Sequence, residues 1–366
     1  MKMMRCRFLW RVVMMCGAMY VICVYHLTTY PGKLVRVSPK PNPMKVGWLK
    51  KVRWTPGTLK VDIYDYSINP VNTCKTNDRR NTTLLILIKS APSHRSRRQA
   101  IRETYISDIK RNNMSVRVLF ILGNTKYERE RELIKTEADE QKDILQADFN
   151  DHYYNLTIKL IMGFKWVTNF CRNSEFVMSI DDDVMLDIFT LFEDLQTFKG
   201  KNRTNFCLAK PNTWPPDRKE DSKWYCPKAI YPYEAFPVSP YGHGYVLSQD
   251  VVRKLYDASK TLLPVVPFDD VYCGMLMNVK SIGIIDRQKF HKKRHPDSKA
   301  GDYLRLELNT FEMKRAWEDF EGFFKKRRPD RYERLRKPSS VTVPLLLLFS
   351  VLVIIIILCS VLSNCD

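Results

Sequence analysis

Residues 176–183 read Phe-Val-Met-Ser-Ile-Asp-Asp-Asp. The first five form a short apolar run of the kind a parallel strand shows when both of its faces are buried. Three acids follow at once, so the chain delivers its carboxylates to the carboxyl end of a strand, the edge where open α/β sheets bind ligands. If extended geometry persists, Asp181 and Asp183 point to one side and Asp182 to the other, and two like charges at that spacing repel unless a cation lies near them. Hard oxygen donors suit magnesium or manganese. An acidic turn or helix cap is the competing reading, because Asp187 and Glu193 follow.

Working outward, Leu84–Ile88 and Val116–Leu122 repeat the pattern of a buried strand. Helical stretches are expected between the strands, over Arg97–Ile109, Tyr127–Leu145 and Ile158–Phe170, where Leu160, Ile161, Phe164 and Val167 recur at helical spacing. Strands alternating with helices predict an α/β layered domain. Near its end Asn309 is placed to cap a helix whose Phe311, Trp317, Phe320 and Phe324 are expected on one core-facing side.

A second acidic pair, Asp269 and Asp270, precedes an apolar segment. Such a pair either starts a helix or supplies a general base, which must lie within hydrogen-bond reach of an acceptor hydroxyl. Between the two acidic sites, Tyr-Gly-His-Gly-Tyr at 241–245 gives a backbone able to approach a ligand closely, or a simple turn. Trp214 and Trp224, in a loop rich in proline, could offer flat faces to sugar rings or pack inside the loop.

With 366 residues, a hydrophobic fraction of 45% and no visible repeat, the chain is globular and not disordered or solenoidal. The charge of +20 lies largely in Lys33–Lys60, Arg95–Arg98 and Lys325–Lys337, without zinc-finger or RNA-binding signatures, so no nucleic-acid partner is expected. Ten cysteines include five internal ones, Cys74, Cys171, Cys207, Cys226 and Cys273, with no CxxC pair. One or two disulfides and a leftover thiol suit an oxidising lumen. Sequons at Asn81, Asn113, Asn155 and Asn202 agree with that compartment.

Both ends are apolar. Residues 8–29, after Lys2, Arg5 and Arg7, read as a membrane anchor with residues 1–7 in the cytosol. Residues 30–81 read as a stem rich in Pro and Lys, 82–330 as the lumenal catalytic domain, and 341–362 as a second membrane helix. Basic residues 325–337 would then lie on the lumenal side, against the positive-inside tendency.

These motifs together resemble the β1,3-galactosyltransferase and β1,3-N-acetylglucosaminyltransferase family, which includes the Fringe enzymes. Arg97, Arg98, Ala100, Ile101, Arg102, Thr104 and Tyr105 are similar to its RRxAIRxTW element. Phe120 and Gly123 resemble its FxxG strand end, and Asp143 to Lys159 its DxxxxDFxDxYxNLTxK stretch. Asp181–Asp183, the segment Gly242 to Val246, and Asp269–Val271 with Gly274 resemble its DDD, GxGYV and EDVYVG elements. The resemblance implies a GT-A fold with helices on both faces of the sheet, and an inverting hexosyltransferase of the Golgi membrane. It would move galactose or N-acetylglucosamine from a UDP-sugar to a glycoprotein or glycolipid acceptor in β1,3 linkage. By the same resemblance, Arg98, Arg102, Asp181, Asp182, Gly242 and Gly244 bind the donor, Asp181 and Asp183 hold Mn2+ or another divalent cation, and Asp270 is the catalytic base. Two positions depart from the pattern: Ser179 stands where the family has Lys, and Arg305, Leu306 and Glu307 stand where it has a metal-ligating His. Glu307, His291 and His295 are the candidates for that missing ligand, and a non-catalytic glycan-binding or chaperone protein of the same fold is the alternative function.

Overall fold

The computed structural model describes residues 34–35, 63–75, 82–198, 205–290, 302–327 and 329–330. The expected membrane segments, the sequons Asn81 and Asn202, and His291 and His295 lie outside the described residues. Among the described residues no helix is long and apolar enough to cross a membrane.

The three apolar runs become the parallel heart of a nine-stranded mixed sheet. In chain order the strands of that sheet and its short satellites are β1 (Leu34–Val35), β2 (Tyr66–Ile68), β3 (Leu84–Lys89), β4 (Val116–Asn124), β5 (Ile144–Asn150), β6 (Phe176–Asp181), β7 (Met185–Leu186), β8 (Cys207–Ala209), β9 (Pro211–Asn212), β10 (Ser239–Pro240), β11 (Gly244–Ser248), β12 (Ile284–Asp286) and β13 (Leu304–Arg305). The large sheet runs β1-β12-β8-β11-β6-β3-β4-β5-β2. Strands β6, β3, β4 and β5 are mutually parallel, so their carboxyl ends share one edge. Strand β11 runs antiparallel to β6 with Gly244 opposite Ile180, which brings the loop before β11 to that same edge.

Alternation along the strands divides the core into two layers. Ile86, Ile88, Phe120 and Met178 face one cluster with Ile101, Tyr105, Phe189 and Trp317. Leu85, Leu87, Leu119 and Val177 face the other, with Leu160, Phe164, Leu255 and Leu276. The first layer is covered by helices α1 (Arg95–Ile101), α2 (Ser107–Arg111), α3 (Glu128–Gln141), α5 (Ile188–Thr197) and α8 (Thr310–Arg327); the second by α4 (Leu156–Phe170), α6 (Gln249–Ser259) and α7 (Asp269–Val279). The expected α/β architecture with helices on both faces is present.

Four local readings change. The helix expected over Arg97–Ile109 is broken by a wide turn at Arg102–Ile106, where Thr104 leaves helical angles at φ −103°, ψ −115°. The helix expected to reach Leu145 ends at Gln141, with Lys142 left-handed at φ 56°, because Ile144 already belongs to β5. The folded body starts before Thr82: Tyr66 pairs with Ala147 at the sheet edge, and a disulfide joins Cys74 to Cys171 across 97 residues. A closure of that length restricts the unfolded chain by about 4–5 kcal/mol in the chain-entropy picture. Phe311 is 73% exposed, while Trp317, Phe320 and Phe324 are buried, since Phe311 sits in the first turn on the outer face. Asn309 does cap α8: its Oδ1 accepts from the N–H groups of Phe311 and Glu312 at 3.0 Å, and Glu312 Oε2 accepts from Asn309 N–H at 2.8 Å.

Candidate active site

The shared carboxyl edge of β3 and β6 ends in a matched pair, Lys89 beside Asp181. Lys89 Nζ lies 3.0 Å from Asp181 Oδ1, 2.5 Å from Asp269 Oδ2 and 3.3 Å from the Gly242 carbonyl. Burial opposes its charge, yet the two carboxylates hold its pKa well above the ordinary lysine range, so it stays a cation. One buried ammonium therefore joins three chain segments that sequence keeps far apart: the DDD strand end, the glycine loop and the start of α7. Nothing in the single sequence marked Lys89, because it reads as the polar last residue of an apolar strand.

Asp181, Asp182 and Asp183 differ in their partners. Asp182 turns toward α1, where it accepts from Ser90 Oγ at 2.7 Å and Arg97 Nη1 at 2.9 Å and pairs with His94 Nδ1 at 2.8 Å. Burial alone would raise its pKa; His94, Ser90 and Arg97 outweigh that and hold it below the usual carboxylate range. Both of its oxygens are thus occupied by the protein, and it organises the site where a donor contact was expected. Asp181 is one-third exposed and has His243 Nδ1 at 3.6 Å from its other oxygen. Asp183, half-buried, is pushed up to about 6, first by burial and then by Asp181 and Asp182.

Asp270 stands at the first turn of α7, next to Asp269. Its Oδ1 accepts from Val271 N–H at 2.8 Å. It is partly accessible to solvent, and burial, then Asp269, push its pKa up to about 7, against the N–H of Val271 and the charge of Lys89. A partly accessible carboxyl poised near neutrality has the pKa a general base needs. Gly242 leaves room for Asp270: a Cβ at 242 would make a tight contact, 3.3 Å from Asp270 Cβ and Oδ2. Gly244 serves the protein's own packing, since a Cβ there would meet Leu304 at 3.0 Å. Neither glycine is explained by a donor contact alone.

Arg98 and Arg102 require correction. Arg98 is fully buried and gives Nε and Nη2 to Glu137 at 2.8 Å, with Nη1 on Ser90 Oγ at 3.1 Å. Arg102 gives Nε and Nη2 to Asp143 and Nη1 to Glu137, each at 2.8 Å. Their guanidinium groups are consumed by carboxylates beneath the site, and Arg98 reaches Asp182 only through Ser90. The one-third-exposed neighbour Arg97 occupies the rim in their place. Asp151, likewise, accepts from Gly123 N–H at 2.6 Å and pairs with Lys159 at 2.8 Å, fixing the β4 and β5 ends.

Glu307, named from sequence as a replacement ligand, does come to this edge. Its Oε1 lies 4.0 Å from His243 Nε2, and its φ of 59° is the left-handed strain that a non-glycine residue keeps where surroundings demand it. The Leu308 N–H bonds the Asp183 carbonyl at 2.9 Å, tying this turn to the acids. Among the described residues no three His, Cys, Asp or Glu side chains are close enough to hold an ion unaided. The donor chemistry nevertheless fits a hard cation, because burial and the like charges of Asp181 and Asp182 outweigh Arg97 at Asp183, and magnesium-type ions take one or two carboxylates and complete their shell with substrate phosphates and water.

An α/β sheet with acids at its carboxyl edge, beside a second acidic pair and a glycine loop, places a candidate ligand site at that edge. The galactosyltransferase family profile matches residues 96–288, more than half of the chain, and the chain belongs to that family. It is 35% identical over 229 residues to the lactosylceramide 1,3-N-acetyl-beta-D-glucosaminyltransferase of Mus musculus, covering 61% of this chain and 60% of that one. The human enzyme of the same name is also 35% identical, over 61% and 59% of the two chains, and the B form of Xenopus laevis is 34% identical over 59% and 58%. The match thus spans about six tenths of the length of these relatives. Among solved structures, the galactosyltransferase LgtC with donor and acceptor sugar analogs is 10% identical over 65% of this chain and 95% of its own, at a TM-score of 0.35. A bifunctional glycosyltransferase, WbbM, is 12% identical over 67% and 45%, also at 0.35.

Proposed function

We propose that the protein is an inverting β1,3-hexosyltransferase of GT-A type that moves N-acetylglucosamine or galactose from a UDP-sugar to a glycan acceptor, anchored in the Golgi membrane with its catalytic body lumenal. The observation that carries this reading is the pairing of Asp181 and Asp269 on one buried ammonium, Lys89, which sets Asp270 beside the acid-bearing strand end. The relatives named above act, by their names, on lactosylceramide, which makes a glycolipid acceptor a reasonable first choice.

In this mechanism the Asp270 carboxylate takes the proton of an acceptor hydroxyl as that oxygen attacks the anomeric carbon. The new carbon–oxygen bond forms on the face opposite the breaking bond to the diphosphate, so configuration inverts. Asp181 and Asp183 would hold Mn2+ or a similar ion, with substrate phosphates and water completing its shell. When bound, the cation supplies positive charge to the diphosphate leaving group. Asp182 keeps the strand end docked on α1, and Lys89 keeps Asp269 from repelling Asp270 into a permanently protonated state.

The test incubates the full-length chain, purified in detergent, with UDP-N-acetylglucosamine or UDP-galactose and a panel of β-galactoside and β-N-acetylglucosaminide acceptors. Transfer that needs manganese and stops in chelator is expected. A folded protein that transfers neither sugar to any acceptor overturns the reading.

A further inference from the structure

Beside the acids lies an aromatic surface that the mechanism leaves unused. Tyr153 follows β5 at the same carboxyl edge of the sheet, in a short turn over Tyr153–Asn155. Trp224 comes from the proline-bearing loop before β10, and its Nε1 donates to Tyr153 Oη at 2.9 Å. Tyr154 Oη in turn donates to the Lys223 carbonyl at 3.3 Å, and the Tyr153 and Tyr154 rings meet edge to face at 5.5 Å. These contacts fix the two segments against each other while leaving Tyr153 40% and Trp224 50% exposed. The Lys223 ammonium rides 4.4 Å from the Trp224 ring centre and 5.1 Å from that of Tyr153.

The position of this surface distinguishes the two substrates. Cys226, two residues beyond Trp224, shares a buried cluster with Phe268 and Val271, the residues that bracket Asp269 and Asp270 at the start of α7. The loop that carries the rings is therefore anchored beside the base, while Asp182 is engaged by His94 and Arg97. A hexopyranose has one face made mainly of C–H bonds, which prefers an aromatic plane to water, and a rim of hydroxyls that suits an ammonium and a phenol. Hydrogen bonding locks the indole and phenol before any ligand arrives, which lowers the ordering cost of binding.

Resting on the proposed transferase reading, we infer that Trp224 and Tyr153, with the Lys223 ammonium over one face of the indole, form the subsite that holds the acceptor sugar ring against Asp270. The ligand class is a neutral hexopyranoside with an unsubstituted C–H face. Trp224 stacks the ring, the Tyr153 hydroxyl receives the indole N–H and keeps its own proton for a sugar oxygen, and Lys223 supplies further donors.

The test compares wild type, Trp224→Ala and Trp224→Phe, all as full-length chains in detergent, with UDP affinity measured by calorimetry alongside acceptor kinetics. Trp224→Ala is expected to raise the acceptor KM by about tenfold or more, the scale of one lost aromatic contact, with donor KM and UDP affinity unchanged. Trp224→Phe, which keeps a ring and loses the bond to Tyr153, should recover most of that loss. An unchanged acceptor KM in Trp224→Ala overturns the inference, and so does a matching loss of UDP affinity, which would assign the surface to the nucleotide. If wild type transfers nothing, the transferase reading fails, and the subsite is still decided by titrating methyl β-galactoside against the indole fluorescence of wild type and Trp224→Ala. A saturable response in wild type that Trp224→Ala abolishes supports it, and no response in wild type overturns it.

Discussion

Replacing Lys89 by Met keeps the length of the side chain and removes only the charge. Two carboxylates then lose a buried cation at 2.5 and 3.0 Å. At about 3 Å and an effective dielectric near 20, one such attraction is worth ~5 kcal/mol before desolvation is charged against it. Leaving the buried Asp269 carboxylate without its partner costs about 3–5 kcal/mol in comparable pairs, while the one-third-exposed Asp181 adds less. For a body of this size that is a fall in Tm of roughly 6–20 °C. The sign with pH follows from the groups involved. The Lys89 pKa is raised, so its contribution is complete below the ordinary lysine value and is lost only as pH climbs through the higher folded value; between pH 5 and 8 the cation itself does not change. Asp270 does change, because the charge of Lys89 lowers its pKa; without Lys89 it protonates more readily, and acid relieves the repulsion. The deficit should therefore be largest at pH 8 and shrink toward pH 5, read by differential scanning calorimetry on both proteins. A Lys89→Met melting point within about 2 °C of wild type at pH 8, or a deficit that grows toward pH 5, refutes the assignment of Lys89 as the clamp between the acidic sites.

Asp270→Asn should lower turnover by ~10²-fold or more with UDP affinity nearly intact. Because Asp270 titrates near 7 in the fold and near 3.9 when unfolded, its ionisation weakens the fold as pH rises between those values. Asp270→Asn should accordingly melt higher than wild type at pH 8, and wild-type kcat/KM should fall about tenfold per unit below pH 7; a flat profile from pH 5 to 8 removes Asp270 as the base. Asp183→Ala should weaken manganese and UDP binding together in paired calorimetric titrations, and loss of one alone contradicts a shared cation and diphosphate site. Arg98→Met should cost stability, about 3–5 kcal/mol for breaking a buried pair, with donor KM in the residual folded protein changed little; a selective rise in donor KM would return Arg98 to the nucleotide. Gly242→Ala, whose new methyl meets Asp270 at 3.3 Å, should reduce kcat more than donor affinity, and an unaltered kcat shows that the loop yields there.

How far the sequence could be read depended on the range of the physics. Apolar runs and their period are local, so 84–88, 116–122 and 176–180 declared themselves as buried strands, and three acids after the last one placed a site at its end. The pleat alternation expected for Asp181 to Asp183 does not persist, because β6 ends at Asp181 and residues 182–183 turn. Strand β5 escaped notice because Ile144–Asn150 mixes polar and apolar residues, and its pairing with β4 is what makes it a strand.

The partners of each charge were decided only in three dimensions. Asp181 and Asp269 are 88 residues apart in the numbering, and nothing local tells that one ammonium from β3 serves both. Arg97, Arg98 and Arg102 share one short stretch, yet helix phase turns Arg97 to the rim and sends the other two beneath the sheet edge to Glu137 and Asp143. The sequence by itself determined which chemistry the chain carries and on which strand end it is delivered, since burial preference and side-chain type act residue by residue. Tertiary structure alone decided which carboxylate keeps its charge, which is spent on the protein and which is raised to about 7, because desolvation and Coulomb energies depend on distances that only the folded sheet sets.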